Sequence, residues 1–173
     1  MSECPYKNFR SKVNDFINLL RKPSKDFGGL PPCPFVASEV EQDKLMIELF
    51  DPSKSSIIDK MKEFEQSNYD SLLLVQMIDE PFDSQDSRLY QLYINKILKN
   101  SKYDNFKCVC FSPQDTMFSG DLNIRSYSPY VLVNIADKDV LGESHKKLVK
   151  TKYYDKMDKN YLKYLGITKE EKW

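Results

Sequence analysis

The chain has 173 residues, 40% of them hydrophobic and 13% aromatic, the size and apolar content of one domain with one core. Its 26 basic and 26 acidic residues balance, so it lacks the electrostatic footprint of a nucleic-acid binder, and nine prolines with five glycines are too few for a fibrous or disordered chain. No run approaches the roughly 18 apolar residues that span a bilayer, and residues 1–12 lack the basic-then-apolar order of a secretory signal, so the chain reads as a soluble, cytoplasmic protein with neither membrane nor nucleic acid as partner.

Phe9, Val13, Phe16, Ile17 and Leu20 recur at helical spacing until Pro23 interrupts them, which predicts an amphipathic helix over residues 8–21. Residues 22–37 hold Pro23, Gly28, Gly29, Pro31, Pro32 and Pro34 around Cys33 and read as a stiff loop, closed to helix and central strand alike. Residues 44–50 are a short apolar run suited to a first strand, after which Ser53 is the expected cap of a helix carrying Ile57, Ile58, Met61 and Phe64. Residues 71–78 form the continuous apolar run of a strand buried on both faces, and a helix over 84–98 follows a loop with Pro81. A third strand is expected at 106–111 and a fourth at 130–135, joined by an irregular connection that contains Pro113, Gly120 and Pro129. A helix over 140–150 and another with Tyr153, Met157 and Tyr161 at i, i+4 spacing end the chain.

The expected fold is a single α+β domain over residues 1–173. It has a four-stranded mixed sheet in β-α-β-α-β-loop-β order, flanked by an N-terminal helix and two C-terminal helices. Helical links predict parallel neighbours, and the helix-free link between the last two strands predicts a hairpin with a long loop. Residues 39–87 are rich in acids and 144–165 in lysines, which reads as solvated helix faces, with a lysine-lined surface for an anionic partner as the alternative.

Cys4, Cys33, Cys108 and Cys110 fit neither a disulfide framework nor a zinc knuckle, so free thiols are expected. The single histidine, His145, argues against zinc, haem and imidazole-pair chemistry and is expected on the solvated face of a lysine-rich helix. No metal and no cofactor are expected; paired carboxylates such as Asp79-Glu80 and Asp83-Asp86 have no matching partner motif. Pro31-Pro32-Cys33-Pro34-Phe35 places a thiol between prolines, either as a small buried side chain that fixes the turn or as a functional group. A second cluster lies between the last two strands, where Ser112, Arg125, Ser128 and Tyr130 offer hydroxyls and one guanidinium.

At these positions the chain resembles the bacterial family classed as domain of unknown function 1415. Its members carry Cys-Pro-Phe after an N-terminal helix, then Phe-His-Pro followed by a phenylalanine and a glycine, then Arg-Ser-Pro-Tyr entering the last strand. Cys33-Pro34-Phe35, Phe111-Ser112-Pro113, Phe118, Gly120 and Ser128-Pro129-Tyr130 occur here in the same order. The likeness spans residues 8–150, with Ser112 in place of the histidine and Tyr127 in place of the arginine, so chemistry that needs that histidine is absent. It identifies residues that travel together and no reaction.

The function expected is a small-molecule site between the Cys33 loop and the 112–130 loop. A small anionic ligand would be held by Arg125, Ser112, Ser128 and Tyr130, with Cys33 as catalytic thiol or contact group. The competing expectation is a non-catalytic protein-interaction or assembly protein. The sequence specifies neither reaction, substrate nor oligomeric state.

Overall fold

The computed structural model describes residues 6–77, 84–113 and 124–164; the side chains of residues 84–86, 125, 126, 161 and 164 also lie outside that description. Its centre is one four-stranded mixed sheet in the order β1-β2-β4-β3. β1 (Leu45–Phe50) and β2 (Ser71–Gln76) run parallel, β4 (Val131–Asp137) runs antiparallel to β2, and β3 (Phe106–Phe111) pairs antiparallel with β4. Thus β1, β2 and β3 point one way and β4 is threaded between the last two. The helical link from β1 to β2 produces parallel neighbours and the link between β3 and β4 an antiparallel pair, as expected. The helical link from β2 instead leads to β3, which runs parallel to β2 but is separated from it by β4.

Alternation along each strand divides the core in two. Leu72, Leu74, Cys108, Cys110, Val133 and Ile135 face α3 (Ile57–Glu65) and α4 (Ser84–Lys99), which contribute Met61, Phe64, Ile94 and Leu98. Leu73, Val75, Phe111 and Leu132 face α1 (Phe9–Arg21), which buries Val13, Phe16, Ile17 and Leu20 at the spacing read from the sequence. All six residues of β2 are buried, which is why it reads as an unbroken apolar run.

Three local expectations differ from the structure. The proline-rich stretch does not stay loop to residue 37: α2 (Pro34–Glu41) begins inside it, because a proline at the first helical position loses no hydrogen bond and has its φ already set. The cap of α3 is Ser56, in a capping box with Asp59, while Ser53 donates its hydroxyl hydrogen to Asp51 at 2.6 Å. At the C-terminus, α5 (Lys138–Val149) gives way to turns through residues 150–156, and α6 (Lys159–Tyr164) is short, so Tyr153 and Met157 do not share a helix with Tyr161. Ile78, Asp79, Glu80, Pro81, Asp83, Phe118, Gly120 and Cys4 lie outside the described residues, as does the side chain of Asp86.

β3 is an edge strand, and its outward backbone groups are taken by side chains of α4. Asn95 accepts from the Cys108 N–H at 2.8 Å and donates to the Cys108 carbonyl at 3.2 Å; Gln91 accepts from the Cys110 N–H at 2.8 Å. Two amides on successive turns of a helix thereby replace a fifth strand. Asn95→Ala is expected to cost on the order of 1–3 kcal/mol, because it leaves part-buried backbone groups unpaired, and to expose the edge to self-association. Urea unfolding and size-exclusion chromatography check this; unchanged stability with a strictly unaltered elution would show that the edge does not need the amide.

Candidate functional site

α1 does not cover the whole of its sheet face. Over the β3–β4 half lies a cavity of about 620 Å³. Its floor is Lys107, Val109 and Phe111 of β3 with Asn134 of β4, which share that face by strand alternation. One wall comes from the proline-rich segment and the start of α2 through Pro32, Cys33 and Phe35. Another comes from α5 and the turns after it through Leu141, His145, Tyr153, Tyr154 and Met157. Around the edge of β3 the cavity also meets Leu92 and Lys99 of α4.

The Cys33 wall is fixed from both sides. The Cys33 N–H donates to the Leu20 carbonyl at 3.0 Å, which ties the segment to the end of α1, and the Cys33 carbonyl accepts from Ala37 N–H as α2 begins. From the other side the Tyr153 hydroxyl donates to the Pro32 carbonyl, and Phe27 packs on the Tyr153 ring at 5.4 Å. Gly28 has φ +66°, and a Cβ there would lie 2.8 Å from Cβ of Lys152, so the two segments approach as closely as they do only because the side chain is hydrogen. Phe27, Leu148, Val149, Tyr153 and Tyr154 form a third, smaller buried cluster that holds this wall together.

His145 is not on the solvated face the sequence led us to expect. It is half-buried, its ring lies edge-on to Phe35 at 5.5 Å, and its Nδ1 shares a hydrogen bond with the Tyr154 hydroxyl. Burial, and secondarily the charge of Lys107, hold its pKa below 6.5, so the ring is neutral at physiological pH. Its lysine neighbours in sequence, Lys146 and Lys147, are exposed, and the helix turns Lys138, Leu141, Gly142 and His145 toward the cavity. The signal in the sequence was the i, i+4 pair Leu141 and His145 on a helix otherwise rich in charge.

Of the four residues singled out from sequence whose side chains are described, Cys33, Ser112, Ser128 and Tyr130, Cys33 alone lines the cavity. Ser112 is fully buried, Ser128 is buried with its hydroxyl donating to the Tyr130 carbonyl at 2.6 Å, and Tyr130 stacks on Tyr6 at 5.2 Å. The side chain of Arg125 lies outside the described residues; its neighbour Ile124 reaches the cavity. Cys33, Cys108 and Cys110 are outside any disulfide, and among the described residues no group of three or more His, Cys, Asp or Glu could hold a metal ion. No described helix is long and apolar enough to cross a membrane. No family model, curated protein or solved structure matches the chain.

The shift of His145 has a signed consequence. The folded state binds the proton less readily than the unfolded chain, so stability is complete well above the unfolded value near 6.5. It declines as pH falls through that value and levels off at the lower folded-state pKa. Melting temperatures taken from about pH 7.5 to 5.5 should show this decline, and His145→Gln should flatten it; an undiminished slope in the variant would assign it to other groups.

Proposed function

We propose that the chain binds a small amphipathic anion in the cavity over β3 and β4. One observation carries this reading: every charged residue among those described as lining the cavity is a lysine, Lys99, Lys107 or Lys138, while most of the wall is apolar or aromatic. Charges of one sign beside low-dielectric walls concentrate ligands of the opposite sign, and the apolar wall selects those with a hydrophobic body. Lys138 has its ammonium engaged with the Asp104 carbonyl, which leaves Lys107 on the cavity floor as the principal cation. Cys33 and Phe35, two residues of the Cys-Pro-Phe motif, lie in the wall, and the motif supplies no reaction.

A thiol role for Cys33 has one observation in its favour: Cys33 and a histidine held neutral share the cavity, and a neutral imidazole can accept a thiol proton. A protein-interaction role is supported by Leu89, Leu92 and Tyr93, which are 55%, 52% and 60% exposed along one stripe of α4. The cavity reading is preferred because it accounts for shape and charge together.

Calorimetric titration with 2-naphthoate tests it. The acid should bind, its neutral isostere 2-naphthamide should bind at least about tenfold more weakly, and Lys107→Gln should abolish that difference while leaving the melting temperature within a few degrees. Equal affinity for acid and amide would remove the anion from the reading, and no binding of either would remove the cavity.

A further inference from the structure

Three described side chains carry a buried polar atom without a hydrogen-bond partner: Arg21 Nε, Gln76 Oε1 and Asn134 Oδ1. Arg21 still pairs through Nη2 with Glu41 at 3.8 Å, and Gln76 does not face the cavity. Asn134 does. It sits in the middle of β4, where its neighbours across the ladder are Leu73 and Val109 and the residue before it on the same face is Leu132. In that apolar setting asparagine is a poor choice for a strand, and its amide oxygen is left unsatisfied. No described residue pairs with that oxygen, which is closed to solvent as the amide stands. Asn134 lines the cavity, so a turn of the amide about χ2 is what would present the oxygen to a partner there.

We infer that the ligand presents a hydrogen-bond donor to Asn134 Oδ1 in addition to an anionic group, an inference that rests on the proposed cavity reading. The strand register sets their separation. Lys107 stands opposite Ala136 and Val109 opposite Asn134, so lysine and asparagine occupy successive same-face positions, roughly 7 Å apart along the strands. The class that fits is an aromatic carboxylate with a hydroxyl or amino group at the end remote from the acid: the carboxylate meets Lys107, the ring lies on Val109 and against Phe35, and the donor meets Asn134. A site built to pair with a donor discriminates against an analogue that lacks one, because the analogue buries the oxygen unpaired.

The test is a matched series. 6-Hydroxy-2-naphthoate and 6-amino-2-naphthoate should each bind at least about tenfold more tightly than 6-methoxy-2-naphthoate, whose ether oxygen accepts but cannot donate. Asn134→Leu should reduce the series to one affinity without lowering the melting temperature, since it removes an unpaired polar atom. The wild-type series is decisive without the variant: hydroxy and methoxy acids of equal affinity, or a preference for the methoxy acid, would overturn the inference. Equal binding of all three acids would leave the cavity reading intact and refute only the donor. Failure of all three to bind would refute the cavity reading and, with it, the donor. A preference that survives unchanged in Asn134→Leu would move the donor contact elsewhere and overturn the assignment.

Discussion

A strand at the edge of a sheet must hide or solvate half of its backbone groups, and in this protein that requirement falls on β3. The chain meets it with side chains: Asn95 and Gln91 of α4 take the Cys108 and Cys110 amides. This fixes the rotation of α4. With Gln91 and Asn95 turned to the strand edge, Ile94 and Leu98 fall into the core against Cys108 and Cys110, and Leu89, Leu92 and Tyr93 are left outside. α4 serves the edge and the face of β3 that lies toward α3; on the opposite face α1 reaches β3 at Phe111, and the rest of that face is the cavity floor.

What covers the cavity instead is a layer made from the two ends of the described chain. The segment before α2 and the turns after α5 hold each other through Phe27 on Tyr153, the Tyr153 hydroxyl on the Pro32 carbonyl, and an ion pair between Lys156 and Asp26 at 2.8 Å. The ion pair is exposed and contributes little; the aromatic packing and the close approach at Gly28 are what determine the spacing. Cys33 and His145 enter the site as passengers of these two segments. Their presence in one cavity follows from tertiary packing between elements more than a hundred residues apart, which no local pattern encodes.

That difference explains what was readable in advance. Periodicity located α1, β1, β2, α4 and β3 nearly to the residue, because each has a buried side that must recur at the period of its own backbone. It also implied the mixed sheet, since connection type decides strand direction. It did not reveal that β4 lies between β2 and β3, which depends on how two buried strands compete for the same neighbour. α2 was hidden because prolines were read as excluding a helix, whereas at Pro34 the first helical position is where a proline fits. At the site, Cys33 stood out by its rigid context. Ser112 and Ser128 also stood out, as hydroxyls in a connecting loop, but both are buried where their polarity serves the backbone locally or is kept from solvent. Asn134 and Lys107 carried no local mark and His145 only its i, i+4 spacing from Leu141, since a lone polar residue in a helix or strand gains meaning only from the face it shares.

The exposed stripe on α4 illustrates the same point from the outside. An apolar run on the solvent side of a helix invites a partner, yet Leu92 is 52% exposed and also lines the cavity, so part of the stripe is the outer lip of the site. An amphipathic ligand approaching along α4 would meet Leu92 and then Lys99, which stands on the same helix two turns further on. The apolar lip and the basic rim would therefore draw in one molecule by its two halves. The cavity accounts for Leu92 alone; the exposure of Leu89 and Tyr93 follows from the rotation of α4 that turns Gln91 and Asn95 to the strand edge.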